Sequence, residues 1–286
     1  MSAGAPSSPW VSAWRRLVRH RATVAAILFV VFLVALCVCG PWFSSYGQND
    51  QDLNLKATSP SPAHWFGTDP LGRDLATRIL YGGRISLLVG ILATAVASVI
   101  GVIYGMIAGL AGKRTDSALM RFVDVLYAFP FITFVIILVV VFGREFWLIF
   151  VAIGAVEWLT MARVVRGQVL ALKNLEFVTA ARAYGAGFWH ILFRHMLPNV
   201  LGIVIIYASL TVPGVMLLEA MLSFLGLGIQ PPDASWGVLI REGADNLAVY
   251  PWMLIGPGLF FSATLLALNI IGDALRDALD PKSIQD

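Results

Sequence analysis

Charge is scarce in this chain, and the side chains that carry catalysis are scarcer still. Only 13% of its 286 residues are Asp, Glu, Lys or Arg, against about 25% in ordinary soluble proteins. The four histidines (His20, His64, His190 and His195) are scattered, and no His/Cys/Glu group has metal-ligand spacing. No Ser/His/Asp set is evident either. The two cysteines, Cys37 and Cys39, stand two apart in an apolar run. Residues i and i+2 of a helix do not face each other, so these read as small apolar side chains rather than a disulfide. The stretch GLAGKR falls short of a phosphate loop, because position 107 is Ile and Arg114 stands where Ser or Thr is needed. The expectation is a chain that is not an enzyme, binds no metal and holds no cofactor of its own.

What is abundant is apolar sequence, 58% of the residues, and it comes in blocks. Residues 22–39, 85–112, 125–143, 196–218 and 247–272 contain no charge, and residues 146–161 contain only Glu157. Crossing a hydrocarbon core of about 30 Å takes roughly 18–20 apolar residues. The fold class expected is an all-α integral membrane protein with about six transmembrane helices.

Charge distribution orients it. With a cytoplasmic N-terminus and alternating spans, the inner side receives Arg15, Arg16, Arg19, Arg21, Lys113, Arg114 and Arg121. It also receives Arg163, Arg166, Lys173, Arg182, Arg194, Arg276 and Lys282, which makes fourteen of the twenty basic residues. Lys56, Arg73, Arg78, Arg84, Arg144 and Arg241 remain outside. Basic residues accumulate on the cytoplasmic side, so both termini are expected there. Topology accounts for the basic balance without a nucleic-acid partner. RRLVRHR before an apolar block mimics a secretion signal, but the further spans make it an uncleaved anchor.

The organisation expected is a tail over 1–21, an anchor helix over 22–43, an extracytoplasmic loop over 44–85, a core over 86–275 and a tail over 276–286. Residues 1–14 read as disordered. In the outer loop, Thr68 or Asp69 is placed to cap a helix with Pro70 in its first turn. Asp69/Arg73 and Asp74/Arg78 have ion-pair spacing, which predicts an amphipathic helix lying at the outer interface. Ala93, Ala97, Gly101, Gly105 and Gly109 recur every fourth residue and allow close helix approach, inside the chain or to a partner. Pro130, Pro213 and Pro257 predict kinks. Pro130, Pro213 and Glu219 are candidates for a pathway or gate. Glu157 is a candidate for transport or for pairing with Arg163 near the inner face.

One polar stretch interrupts the apolar pattern: TAARAYGAGFWHILFRHMLPN, residues 179–199, within an inner loop over 166–198. Residues 175–184 read as a short helix with Glu176 in its first turn, where an acid is favoured. Gly185 is a natural stop residue. Residues 188–196 resume as a helix and Pro198 opens the fifth span. Two short helices bent at a glycine form a knob leaving the membrane; the alternative is a hairpin lying on lipid.

This stretch resembles the EAA motif of binding-protein-dependent ABC importer permeases. Thr179, Ala180, Ala181, Gly185, Ile191, Leu197 and Pro198 occupy the motif positions, Thr179 standing where the family usually has Glu. Glu176 lies one turn earlier, and Arg182 falls within the motif. HWFGTDPLGRD, RILYGGRISL, RFVDVLYAFP, ARVVRGQVLALK, LSFLGLGIQPPDASWGVLI and GDALRDALDP resemble the second permease subunit of dipeptide and oligopeptide importers. The resemblance implies a type I importer (MetI-like) permease fold in a bacterial inner membrane. It also implies a heterodimer with a homologous permease, two ATPases holding ATP and Mg, and an extracytoplasmic binding protein. The polar stretch is then the coupling helix that docks on an ATPase. The alternatives are the same machine importing nickel, glutathione or another small solute, an ion-coupled carrier, or a membrane anchor.

Overall fold

In the computed structural model residues 16–143 and 146–279 are described. The expectations for residues 1–15, Arg144 and Lys282 lie outside them. The regular elements are helices: α1 (Arg21–Phe43), α2 (Leu75–Leu110), α3 (Lys113–Ala128), α4 (Phe131–Phe142), α5 (Phe146–Leu172), α6 (Glu176–Ala183), α7 (Phe188–Phe224), α8 (Trp236–Asp245) and α9 (Trp252–Leu279). Five of these, α1, α2, α5, α7 and α9, are long and apolar enough to cross a membrane, and α3 with α4, apolar enough only as a bent pair, is the candidate for a sixth.

That sixth span differs from the expected one. The run over 125–143 is not a single kinked helix, because α3 ends at Ala128 and α4 starts after Pro130, bent by 79°. Proline disfavours helical geometry in the residue before it, and Phe129 is extended with ψ 129°. Pro213 and Pro257, by contrast, lie inside uninterrupted helices. The fourth span runs past residue 161 to Leu172, so the inner loop is shorter than expected.

The interfacial helix at the outer face is also corrected. No helix starts at Thr68 or Asp69; Pro70 sits in a turn, and the first helical residue is Leu75, continuous with the second span. Asp74 caps α2 by accepting from the Thr77 backbone at 2.8 Å and contacts His64 Nδ1 at 2.9 Å, so it does not pair with Arg78. Arg73 does donate to Asp69, at 2.6 Å, across the turn. Arg78, almost wholly buried, reaches Asp69 at 2.8 Å and Glu242 of α8 at 2.6 Å. Gly72, at φ 71°, lies so close to the Asp52 backbone that a side chain has no room. Arg73 and Arg78, which break the charge rule, therefore have specific carboxylate acceptors, although the buried Arg78 Nε is left without one.

The small-residue stripe of α2 is used inside the chain. Ala93 and Ala97 are buried, and side chains added at Gly101, Gly105 and Gly109 would run into α5 at Met161, Ala162 and Val169. Close backbone approach of this kind replaces the hydrophobic drive that lipid cannot supply. One buried cluster joins α1, α2, α7, α8 and α9 around Leu33, Ile79, Met216, Trp236 and Phe261. A second gathers at the opposite ends of α2, α5 and α7.

Candidate functional site

The second cluster is where the inner loop attaches. After Leu172 the chain turns, and α6 follows from Glu176 to Ala183. Its end is a Schellman motif: Gly185 N–H donates to Arg182 O at 2.9 Å and Ala186 N–H to Ala181 O at 3.0 Å. Gly185 has φ 83°, the left-handed conformation such an end requires. The chain then re-enters helix at Phe188, and residues 191–196 form a π-helical turn. Leu197 N–H reaches five residues back to Leu192 O, and Pro198 beside it has no N–H to offer. Asn199 Nδ2 donates to the His195 carbonyl at 2.7 Å. The second arm of the knob is thus no separate helix but the beginning of α7.

The motif residues divide by direction. Glu176, Thr179, Ala180, Arg182, Gly185 and Pro198 are exposed, Ala181 and Leu197 are half-buried, and Ile191 is buried. Tyr184, at 93% exposure, is the most exposed large apolar side chain of the described residues. On the inward side Val178 is fully buried, in one cluster with Ile191, Leu192 and Met196, with Val102, Met106 and Leu110 of α2, and with Val165 and Val169 of α5. Thr179, which stands where an acid was expected, donates its hydroxyl to Glu176 O at 2.9 Å. Its hydroxyl is spent on its own helix, and Glu176, three residues away on the same face, carries the only negative charge of α6.

Polar clamps complete the attachment. Lys173 Nζ donates to Gly109 O at 3.0 Å, tying the end of α5 to that of α2. Arg166 grips Asp116 of α3 through two bonds, at 2.5 and 2.7 Å. Arg163 pairs with Asp124 at 2.8 Å and lies 4.3 Å over the Tyr127 ring. Its partner is therefore Asp124, not Glu157. Sequence reasoning placed Leu192 on an apolar side, which its burial bears out, but missed Val178, Met196, Asp116 and Lys173. A signal existed for part of this set, since Leu192, Met196 and Val200 recur every fourth residue and all are fully buried.

The remaining candidates are not brought to this loop or to one another. Pro130 is exposed at the α3–α4 break and Pro213 is buried within α7. Glu219, with no exposed surface, accepts hydrogen bonds from Ser86 at 3.2 Å, Ser223 at 2.7 Å and Ser235 at 2.6 Å. Ser235 also caps α8. Glu219 thus joins α2, α7 and α8 from inside. Among the described residues no three His, Cys, Asp or Glu side chains gather as a metal site. What the arrangement offers is an exposed helix fixed to three spans.

Comparison with known proteins identifies the machine. Residues 101–285 match the family described as binding-protein-dependent transport system inner membrane component. Residues 8–60 match the N-terminal TM domain of oligopeptide transport permease C. The oligopeptide transport system permease protein OppC of Haemophilus influenzae is 50% identical over 96% of this chain and 89% of its own. The dipeptide transport system permease protein DppC of Bacillus subtilis is 46% identical over 94% and 85%. The glutathione transport system permease protein GsiD of Pectobacterium atrosepticum is 41% identical over 96% and 92%. With a family match over more than half its length, the chain belongs to the inner membrane components of binding-protein-dependent transport systems, and is a non-catalytic, multi-pass permease subunit of an ABC transporter.

Proposed function

We propose that this chain forms half of the transmembrane pathway of an ATP-driven importer for dipeptides and oligopeptides. It pairs with a homologous permease, receives cargo from an extracytoplasmic binding protein and is driven by two cytoplasmic ATPases that hold ATP and Mg. Both termini and α6 face the cytoplasm. The exposed side of α6, with Glu176, Thr179, Ala180, Arg182 and Tyr184, meets an ATPase, and Ala180 and Ala181 permit close approach. The observation that carries the reading is that this surface helix is fixed by fully buried Val178 to the ends of α2, α5 and α7. A stiff element transmits displacement that a flexible loop would absorb, and differential binding between ATPase states shifts the spans. Peptide cargo is supported by the names of the oligopeptide and dipeptide relatives. Glutathione is the second reading, supported by the name of one relative.

The test is co-expression with the partner chains and ATP-dependent uptake of labelled di- and oligopeptides into proteoliposomes, with glutathione in parallel. Peptide uptake that needs ATP is expected. Cysteine placed at Ala181 should crosslink to an ATPase, and consistent failure of several such pairs would leave the loop lying on lipid.

A further inference from the structure

The coupling loop leaves two sequence features unused: the basic run RRLVRHR before α1, and the stretch GDALRDALDP that closes α9. The structure brings them together. The chain segment entering α1 and the last turns of α9 enclose an open groove of about 810 Å³, within the about 300–1,000 Å³ of small-ligand sites. One wall carries Arg16, Arg19 and His20, the other Asp273 and Asp277. The floor between them is apolar, with buried Leu17 on one side and Ile270 on the other. Alternation of the spans puts the groove at the same end of the bundle as α6, where helix meets lipid headgroup.

Charge chooses the occupant. A purely basic pocket between helix ends on this side selects an anionic headgroup. Here the Asp273 carboxylate on the opposite wall repels net negative charge and calls for a cation at a fixed distance from the anion. A headgroup with both a phosphate and an ammonium satisfies both walls. The phosphate suits the Arg19 guanidinium, which binds such groups with paired hydrogen bonds. The ammonium must donate N–H to Asp273, which a primary amine does and a quaternary one cannot. Further along α1, exposed Leu28 and Val31 offer apolar surface to acyl chains, which a soluble metabolite would not use.

We propose that this groove holds the headgroup of a zwitterionic primary-amine phospholipid, phosphatidylethanolamine in type, with phosphate toward Arg19 and ammonium toward Asp273. The inference rests on the membrane placement of these helix ends and not on the docking of α6, so either can fail without the other.

The experiment uses the assembled transporter, purified, stripped of lipid and titrated with phosphatidylethanolamine, phosphatidylglycerol or phosphatidylcholine, with retained lipid read by native mass spectrometry. The ethanolamine lipid should be retained at least about tenfold more tightly than the other two. Arg19→Gln should abolish that preference, and Asp273→Asn should turn it toward phosphatidylglycerol. Both side chains are exposed, so assembly should be unaffected, as a thermal melt of each variant checks. Equal retention of all three lipids overturns the proposal. So does a wild-type preference for phosphatidylglycerol, or an ethanolamine preference that both variants keep. Displacement by free phosphoethanolamine at equal concentration would make the occupant a soluble headgroup and would overturn the lipid assignment.

Discussion

Arg84 of the second span donates through Nε to the backbone carbonyl of Cys37 in the first, at 2.6 Å. That carbonyl is the one Pro41, four residues on and lacking an N–H, leaves without its helical partner. A second guanidinium nitrogen reaches the Val38 carbonyl, and the group also lies 4.9 Å over the Tyr81 ring. An arginine at odds with the charge rule is thus explained by a proline in another helix. Arg84→Leu should cost about 1–2 kcal/mol of attachment between anchor and core. In a Pro41→Ala background, where the helix can satisfy Cys37 itself, the same change should cost markedly less. A double-mutant cycle on thermal stability reads the coupling, and additive effects would remove it.

Glu219→Ala should destabilise the subunit by roughly 2–4 kcal/mol, because three buried serine hydroxyls lose their acceptor. Glu219→Gln keeps an acceptor oxygen for Ser223 and Ser235 and should cost much less. Thermal unfolding of the assembled transporter compares the two. Equal losses would point to the negative charge rather than the hydrogen bonds.

Gly185 separates conformation from space. Nothing lies within 4 Å of where its side chain would start, yet its φ is 83°. Gly185→Val should insert normally and lose uptake by about tenfold or more, since a β-branched residue resists this conformation. Gly185→Asn, which tolerates it, should retain most transport. The measurement is peptide uptake against subunit abundance, and normal uptake in the valine variant would sink the coupling role of this bend.

Accessibility labelling checks the orientation. In a Cys39→Ser background, Trp65→Cys should react with an impermeant reagent from outside, and Tyr184→Cys only after the membrane is opened. Both positions are highly exposed, at 77% and 93%. The reverse pattern would invert the topology.

Local pattern carried five of the spans and the first arm of the loop that bends at Gly185. The apolar run over 22–39 became α1, and the sequence around Gly185 became the helix end that its residue types favour. What stayed hidden was long-range or competitive. The Asp74/Arg78 spacing looked like an ion pair, yet Asp74 is taken by the α2 cap and Arg78 by Glu242, 164 residues away. The break at Pro130 lies within an uncharged run, so apolar content gives no sign of it. Val178 drew no notice because nothing in LEFVTAARA sets it apart from Leu175 and Phe177, which are exposed. Its burial depends on where α2, α5 and α7 end, which no window of sequence contains.

The length of α2 has a consequence for how the two faces of the membrane communicate. At 36 residues it is about 54 Å long, against a hydrocarbon core of about 30 Å. Its first turn is capped by Asp74 within the outer charge network, and its last turns, Val102 to Leu110, lie beside Val178. One unbroken rod therefore has its ends in the two aqueous compartments and no joint between them. An axial push on such a rod arrives at the far end almost undiminished, so under the proposed topology a receiving surface outside and a driven surface inside would be in direct mechanical series.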